Sequence, residues 1–313
     1  MLTVTLNPSV DVSTGVAVVE PERKLHCGPS RREAGGGGVN VARVAHVLGA
    51  DVTAFVLVGG CSGAQLVDLL AGQRVATEAM PIAADTRESL TILEGATGRQ
   101  YRFVMPGPTV TDEEMAAAEA RVEALAAHSS LVVLSGSLPP NLLPRRFGSL
   151  VERIRSAGAA VIVDTSGDAL GASAAAGTLL LKPSVRELST FAGYVLSGEP
   201  EIVAAAHDLL DRGPNEAVVV SMGAAGALLV RPDAPATRVH GPRVHALSTV
   251  GAGDSLVGAI AVALERGADM ETAVCWGVAA GTAATLAHGT GLCQREDVER
   301  LLHHVSVHAL AVA

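Results

Sequence analysis

The chain has 313 residues and a formal net charge of −9, from 23 Lys and Arg against 32 Asp and Glu; 49% of it is hydrophobic and only 2% aromatic. This composition is too apolar for a disordered protein, and its acidic charge, scattered arginines and few aromatic residues exclude a typical nucleic-acid-binding surface. The four cysteines show no metal-like pairing, which favours a reducing compartment.

Short β-branched runs alternate along the chain with longer amphipathic or Ala-rich stretches. Most of the runs are continuously apolar, as strands covered on both faces are. The pattern predicts an α/β fold with a doubly wound, mainly parallel sheet flanked by helices. In chain order the predicted elements are helix 39–48, strand 52–58, helices 64–71 and 112–127, strand 131–136, helix 141–157, strands 160–167 and 179–184, helices 185–192 and 200–211, strands 217–223 and 227–230, and helices 253–266, 270–287 and 295–304.

Two segments depart from this alternation. Residues 10–32 lack a helical pattern, and residues 88–105 form a predicted hairpin whose halves, ESLTILE and RQYRFVM, flank Gly95-Ala-Thr-Gly98. Strands inserted into a wound sheet commonly form a lid or an oligomer contact. We therefore expect one domain over 1–313, with a small β-strand lid built from about 10–32 and 87–106.

The N-terminus and one long uncharged segment bear on location. MLTVTLNPSVD has no basic region before an apolar stretch and is not a signal peptide. Residues 272–294 contain no Asp, Glu, Lys or Arg and are long enough to span a bilayer. They are rich in Ala, Gly and Thr rather than Leu and Ile, so the segment predicts a buried helix in a soluble, cytoplasmic protein with no membrane partner.

Several well-known motifs are absent from the sequence. It contains no P-loop G-x-x-x-x-G-K-[ST], no strict G-x-G-x-x-G at a helix start, and no G-x-S-x-G, H-E-x-x-H or C-x-x-C. These absences leave P-loop phosphate binding, hydrolase elbows and zinc sites without support.

The strongest positive motif is STVGAGDS (248–255), which opens helix 253–266. Its glycines let backbone N–H groups approach an anion at a helix N-terminus, and Asp254 is placed to take a proton from a hydroxyl in front of it. The alternative is that Asp254 merely caps the helix.

Three weaker motifs lie where doubly wound sheets bind ligands. GGGG (35–38) favours close approach of a ligand, or a flexible turn, and Asn40 after it binds a polyhydroxylated ligand or caps a helix. KPSVREL (182–188) contains the capping box Ser184-x-x-Glu187, or else places Glu187 near a metal–phosphate group and Lys182 on phosphate oxygens. SGSLPP (135–140) is weak alone. On the hairpin, Arg99 is expected to be solvated. Arg87 and Arg102 become candidate phosphate ligands if the lid covers a phosphorylated ligand.

Taken in order, these segments resemble the ribokinase / phosphofructokinase-B family of sugar kinases. The matching segments are TLNPSVD (5–11), AGGGGVNVAR (34–43), SGSLPP (135–140), KPSVREL (182–188), VVVSMGAAGALL (218–229), STVGAGDS (248–255) and VAAGTAATLAHGTGLC (278–293). TRESL (86–90) and QYRFVMPGP (100–108) resemble the lid of the bacterial 6-phosphofructokinases of this family. The resemblance covers nearly the whole chain and implies a ribokinase-like fold.

The resemblance also implies an activity and a site. It implies ATP-dependent phosphorylation of fructose 6-phosphate at the C1 hydroxyl, with Asp254 as base and Gly251, Ala252 and Gly253 as anion hole. The implied sugar-phosphate ligands are Asp11, Gly35, Gly36, Asn40, Arg87, Arg102 and Ser137, with Lys24 reaching a neighbouring subunit in a homodimer formed by the lids. The implied nucleotide ligands are Lys182, Ser221, Gly223, Gly226, Val278 and Thr282; Glu187 holds Mg²⁺ through water, and Ser248, Val250, Ala284 and Gly289 hold a monovalent cation such as K⁺.

Three departures bear on specificity. Fructose-1-phosphate and tagatose-6-phosphate kinases usually read GGKG where this chain has GGGG, so Gly37 removes a charge from the sugar-phosphate site. Ser184 replaces the family's Asn, which alters metal affinity or nucleotide inhibition. Gly291 stands where close relatives can carry a larger polar residue, which alters the expected cation site. The alternatives are a kinase of the same fold acting on either of those sugars, or a non-catalytic sugar-phosphate-binding regulator.

Overall fold

A ten-stranded sheet lies at the centre of the structure, a computed structural model that describes residues 1–287 and 291–310. The strands are β1 Leu2–Thr5, β2 Ser9–Val16, β3 Arg31–Gly35, β4 Thr53–Val58, β5 Ala76–Pro81, β6 Arg87–Glu94, β7 Gln100–Val104, β8 Leu131–Ser135, β9 Ala160–Asp164, β10 Leu180–Leu181, β11 Val218–Ser221, β12 Ala227–Arg231, β13 Ala234–His240 and β14 Ser306–Ala309. The helices are α1 Gly37–Val47, α2 Gly60–Gly72, α3 Asp112–Ala126, α4 Pro144–Ser156, α5 Asp168–Ala176, α6 Val185–Ala192, α7 Glu199–Leu210, α8 Ala252–Glu265, α9 Met270–Ala284 and α10 Arg295–Leu302.

The order of strands in this sheet is β14-β13-β12-β11-β10-β9-β8-β1-β4-β5. Strands from β11 to β5 run parallel, while β12, β13 and β14 extend one edge in antiparallel pairs. The prediction of a doubly wound, mainly parallel sheet is therefore confirmed.

Alternate residues of the strands pack against helices on opposite faces of the sheet. In β8, Val132 and Leu134 join the cluster that includes α3 to α7, whereas Leu131 and Val133 face the cluster that includes α8. Successive side chains of a strand point to opposite faces, so both faces of a buried strand must be apolar. This explains the continuously apolar runs in the sequence.

A second, four-stranded sheet in the order β3-β2-β6-β7 forms a lid over one end of the central sheet. The hairpin predicted over 88–105 is confirmed, with β6 antiparallel to β7, and the non-helical segment 10–32 contributes most of β2 and the first two residues of β3. β2 and β6 pair in parallel, so Asp11 lies beside Ser89. The pairing joins the two lid segments although about 70 residues separate them.

Helix ends follow local sequence signals. The predicted capping box of Thr111 and Glu114 begins α3, and Ser184 and Glu187 make a second at α6. The predicted helix 141–157 begins only at Pro144, since proline is favoured in the first turn. The predicted strand 179–184 is wrong in extent: the continuous strand is only Leu180–Leu181, followed by an isolated bridge from Ser184 to Ser221. Pro183 lacks an N–H, and Ser184 already caps α6.

The sequence interpretation missed some elements. One missed helix is α5, whose sequence, DALGASAAA, does not separate a polar face from an apolar face. The missed strands β1, β5, β13 and β14 are short or partly polar. The buried helix predicted over 270–287 is confirmed as α9, which ends at Ala284. Within 1–287 and 291–310, none of the helices combines the length and apolar character needed to cross a membrane.

Candidate active site

A polar cleft of about 340 Å³ lies between the lid and the carboxyl ends of the parallel strands. Its lining combines lid residues, strand-end loops and the first turn of α8. The residues used below are Asp11, Gly36, Gly37, Asn40, Arg87, Arg102, Ser135, Ser137, Asp164, Lys182, Glu187, Val250, Gly251, Gly253 and Asp254. We refer to this space as the polar cleft.

The start of α8 places Asp254 on the floor of the polar cleft. Gly251 occupies the N-cap with φ of 75°, a left-handed conformation that glycine adopts without strain. Asp254 makes no capping hydrogen bond; its Oδ2 instead accepts from Asn40 Nδ2 at 2.8 Å. The interpretation of Asp254 as a simple cap is therefore wrong, and its carboxylate is available for chemistry.

Electrostatics tune the carboxyl of Asp254. Burial raises its pKa, and the hydrogen bond from Asn40 and the positive charge of Lys182 offset part of that rise. A carboxyl with a raised pKa is a stronger base than a fully solvated one, provided that it is ionised at the working pH.

Lys182 forms a buried ion pair at the end of the neighbouring strands. Its Nζ lies 2.9 Å from Asp164 Oδ1, and both side chains are almost inaccessible to water. Burial raises the pKa of Asp164 to about 6, although Lys182 counteracts it. Burial alone would lower the pKa of Lys182, but Asp164, Glu187 and Asp254 outweigh it and raise the pKa. Lys182 therefore stays protonated beside the first turn of α8.

Asp11 joins the lid to the glycine run before α1. Ser9 Oγ donates to Asp11 Oδ1 at 2.7 Å, and a Cβ added at Gly35 would overlap the Asp11 carboxylate. Burial raises the pKa of Asp11 against the effects of Ser9 and Arg87. Gly35 does not line the cleft itself; it makes room for the carboxylate that does.

Arg87 is half-buried where the lid joins the central sheet. It donates to the carbonyl of Asn7 at 3.1 Å, to that of Met105 at 3.3 Å and to Ser137 Oγ at 3.4 Å. Asn7 Nδ2 also donates to Ser137 Oγ at 3.1 Å. These bonds hold the lid base against the SGSLPP loop, so Arg87 and Ser137 reach the same corner of the cleft.

A larger apolar cleft of about 960 Å³ begins on the far side of the same helix start. Small and aliphatic residues line most of it, including Ser221, Gly223, Ala224, Gly226, Ala252, Val278 and Thr282. Gly253 lines both clefts. The first turn of α8 is thus the boundary between a polar compartment and an apolar compartment.

Most residues expected from the sequence gather at these two clefts. Five of the six expected nucleotide ligands line the apolar cleft, and Lys182 lines the polar cleft. Lys24 lies away from both clefts: it is exposed in the β2–β3 loop and lines neither cleft of its own chain. Of the expected cation ligands, Val250 lines the polar cleft, Ser248 donates its N–H to Thr285, the residue after Ala284, and Gly289 lies outside the described residues.

The acidic residues of the polar cleft fit a sparsely ligated divalent ion. Glu187 lines the cleft while its Oε2 accepts from the Ser184 N–H at 2.7 Å, and Asp164 lies across from it. Residues 1–287 and 291–310 contain no cluster of three His, Cys, Asp or Glu side chains suited to a metal. An ion here would take one or two carboxylates and complete its shell with water and phosphate oxygens, as Mg²⁺ commonly does.

The sequence interpretation missed Asp164. It follows the apolar run of β9 and is 18 residues from Lys182, so only the pairing of β9 with β10 brings the two together. The available signal was its position at the carboxyl end of a predicted parallel strand, where ligand-binding residues collect.

Comparisons with known proteins agree with this geometry. The sequence matches the pfkB family carbohydrate kinases over residues 5–297. It is 45% identical over 300 residues to an ATP-dependent 6-phosphofructokinase isozyme 2 from Mycobacterium tuberculosis, covering 96% of this chain and 88% of that protein. It is 40% identical over 305 residues to the isozyme 2 of Escherichia coli, covering 97% and 98%.

A solved structure gives the same result in three dimensions. The crystal structure of phosphofructokinase-2 from Escherichia coli in complex with potassium superposes with a TM-score of 0.92 at 40% identity, covering 97% of this chain and 98% of that one. Sequence and fold agree, and the chain belongs to the pfkB family of carbohydrate kinases.

Proposed function

We propose that this protein is an ATP-dependent 6-phosphofructokinase, which transfers the γ-phosphate of ATP to the C1 hydroxyl of fructose 6-phosphate. The observation that carries the proposal is the position of Asp254, a half-buried carboxylate at the boundary between a polar cleft suited to a sugar phosphate and an apolar cleft suited to a nucleoside. The names of the relatives from Mycobacterium tuberculosis and Escherichia coli support the same activity.

The proposed mechanism assigns the proton transfer to Asp254. Asn40 holds its Oδ2, and its Oδ1 takes the proton from the C1 hydroxyl as that oxygen attacks the γ-phosphorus in line. The backbone N–H groups of Gly251, Ala252 and Gly253 and the ammonium of Lys182 stabilise the charge that develops on the transferred phosphoryl group.

The sugar phosphate binds below the lid. Asp11 and Asn40 contact sugar hydroxyls, and Arg87 and Arg102 pair with the 6-phosphate. A side chain at Gly37 would overlap the Ser135 hydroxyl and lie 2.7 Å from the Gly136 N–H. The lysine usual in fructose-1-phosphate and tagatose-6-phosphate kinases therefore does not fit this backbone, which supports fructose 6-phosphate as substrate.

Two ions belong to the proposal. Mg²⁺ bound near Glu187 and Asp164 would neutralise the β- and γ-phosphates of ATP. The second ion is K⁺, which is present in a crystal structure of the Escherichia coli relative. The residues expected to hold it here are Ser248, Val250, Ala284 and Gly289. Replacing K⁺ by Na⁺ in the assay is expected to lower kcat; equal rates in both salts would remove K⁺ from the account.

The lid is the proposed dimer contact of a single-domain cytoplasmic enzyme. Leu93 on β6, Phe103 and Val104 on the edge strand β7, and Met105 after it are between 45% and 61% exposed, a high apolar content for one side of a small sheet. A second copy of the chain would cover this edge and bring its Lys24 towards the neighbouring cleft. Light scattering after size-exclusion chromatography is expected to give a dimer that Phe103→Asp dissociates, whereas a monomeric wild type would contradict this assignment.

The activity is tested by a coupled assay with ATP and four acceptors: fructose 6-phosphate, tagatose 6-phosphate, fructose 1-phosphate and free fructose. We expect the highest kcat/KM with fructose 6-phosphate. Preference for another phosphorylated ketose would replace the substrate and keep the mechanism. Binding of a sugar phosphate with no turnover of ATP would show a regulator instead of an enzyme.

A further inference from the structure

Arg43 is a buried cation that the proposed mechanism does not use. It lies on α1, one turn after Asn40, and is 8% exposed. Its guanidinium donates to four acceptors: Gln73 Oε1 at 2.7 Å, the Ala34 carbonyl at 2.9 Å, Glu33 Oε1 at 3.1 Å and Asn40 Oδ1 at 3.1 Å. These acceptors come from β3, α1 and the end of α2, so the position of the guanidinium is fixed from three sides.

The bond from Arg43 to Asn40 gives the Asn40 amide one orientation. A guanidinium can only donate hydrogen bonds, so the carbonyl oxygen of the amide must face Arg43. The amide nitrogen then faces Asp254, and it donates to Oδ2 at 2.8 Å. With the amide reversed, two donors would meet at Arg43 and two acceptors at Asp254.

The fixed amide also selects the protonation state of its partner. An N–H donor favours the ionised carboxylate of Asp254, which is the form that accepts a proton. Burial opposes that form. Arg43 therefore acts on the base through Asn40 and does not touch the base itself.

Arg31 provides an internal comparison. Arg31 Nη2 and Arg43 Nη2 each lie 3.1 Å from the same Glu33 Oε1. The side chain of Arg31 is 65% exposed, whereas that of Arg43 is 9% exposed. Arg43 is the one that also donates to Asn40.

We propose that Arg43 is a positioning residue that orients Asn40 and thereby holds Asp254 ionised and aimed at the sugar hydroxyl. Glu33 and Gln73 anchor the guanidinium, so the arrangement runs from β3 and α2 through α1 to the first turn of α8. The inference rests on the proposed function, in which Asp254 is the base.

Several other charges face Asp254 and contribute to its ionisation. They are Asp11 on β2, Arg102 on β7, Lys182 after β10 and, through the shared cluster, Asp164 on β9. Arg43 variants leave these residues in place, but Arg43 itself lowers the pKa of Asp11. Arg43→Lys keeps that positive charge and changes only the geometry of the donor. A shift of the acid limb that is already present in Arg43→Lys therefore reports the Asn40 contact rather than the wider field.

The experiment compares Arg43→Lys and Arg43→Leu with the matched control Arg31→Lys. Per folded molecule, we expect kcat to decrease in the order wild type, Arg43→Lys, Arg43→Leu, with a loss of about 10- to 100-fold in the leucine variant. The KM for ATP stays near wild type. The acid limb of kcat moves to higher pH by on the order of one unit in the leucine variant. Arg31→Lys changes neither kcat nor the pH profile.

The outcomes separate the inference from its alternatives. If folded Arg43 variants have the kcat and the acid limb of the wild type, the inference is overturned. The proposed function still stands in that case, provided that the wild type turns over ATP and fructose 6-phosphate. Loss of folded protein with an unchanged pH profile in the remainder would show that Arg43 only stabilises the fold. An inactive wild type would overturn the proposed function instead.

One measurement on the wild type needs neither turnover nor a stable variant. The side-chain ¹H,¹⁵N resonances of Asn40 are expected to be well separated and slow to exchange, with one proton shift titrating together with Asp254. Two nearly equivalent, rapidly exchanging protons would overturn the inference even if every Arg43 variant failed to fold.

Discussion

The two clefts share Gly253 but differ in size and chemistry. The polar cleft, about 340 Å³, contains charges that are held by polar contacts: Asp254 accepts a hydrogen bond from Asn40, and Lys182 pairs with Asp164. The apolar cleft, about 960 Å³, is lined mostly by small residues. In the proposed kinase, the cleft that performs the chemistry is small and lined by charged and polar groups, and the cleft that binds the nucleoside is larger and mostly apolar.

The difference has a physical basis. A buried charge is costly unless it is paired, so each buried charged group of the polar cleft, such as Lys182 or Asp164, requires a partner at a fixed position. The free energy gained by burying the nucleobase of ATP depends on the apolar area removed from water and tolerates changes in the shape of the cleft. Substitutions in the polar cleft should therefore lower kcat, whereas substitutions in the apolar cleft should change the KM for ATP.

The largest effect is expected for Asp254→Asn. The variant keeps shape and loses the base, so kcat falls about 10²- to 10⁴-fold. Asp269→Asn is the matched control: Asp269 also lies at a helix start, but it caps α9 by accepting from the Thr272 N–H at 2.7 Å, and Asn caps equally well. Steady-state kinetics of both variants check this, and near-normal turnover of Asp254→Asn would refute Asp254 as the base.

Lys182→Met is expected to lower kcat about 100-fold, since one preorganised cationic donor beside the transferred phosphate is lost. The KM for fructose 6-phosphate changes little, because the proposed contact of Lys182 is with the phosphoryl group during its transfer. A variant with normal kcat and a raised KM for ATP alone would show that Lys182 only binds the nucleotide.

The pH dependence of stability tests the burial of Asp164. Its pKa is about 6 in the folded protein against an ordinary 3.8, so between these values the folded state binds more protons than the unfolded chain. Its contribution to the free energy of unfolding therefore falls as the pH rises through this range. Urea unfolding measured at pH 4.5 and at pH 7 tests this. On going to pH 7, the free energy of unfolding of the wild type should fall by about 1–3 kcal/mol more than that of Asp164→Asn. A parallel response of the two proteins would contradict the raised pKa.

Arg102→Gln tests the lid side of the polar cleft. Arg102 and Arg99 are both exposed, but Arg102 lines the polar cleft, whereas Arg99 lines neither cleft. We expect Arg102→Gln to raise the KM for fructose 6-phosphate about tenfold, as for the loss of one charge-assisted phosphate contact. Arg99→Gln should leave kinetics unchanged, and equal effects of the two variants would indicate a general charge effect.

Ala224→Asp is expected to give the smallest effect, about a threefold increase in the KM for ATP. Ala224 is an exposed residue at the edge of the apolar cleft, where added negative charge repels the triphosphate through screening solvent. Ala224→Asn has nearly the same shape without the charge and should behave like wild type. A fall in kcat for the aspartate variant would break the division between the two clefts.

How far the sequence predicts the molecule depends on the kind of signal. The glycines around Asp254 identified the start of α8, because close backbone approach requires residues without side chains. The pairing of Lys182 with Asp164 was not predictable from spacing, since it depends on strand neighbours. α5 was missed because its small residues form no distinct apolar face, and Arg43 reads in sequence as an ordinary helix residue.

Calorimetric titration of Asp254→Asn tests the central claim most directly. If chemistry and nucleoside binding are divided between the clefts, the variant binds fructose 6-phosphate and a non-hydrolysable ATP analogue with affinities within about threefold of wild type. A loss of affinity for either ligand as large as the loss of kcat would show that Asp254 supports binding, and the account would be wrong.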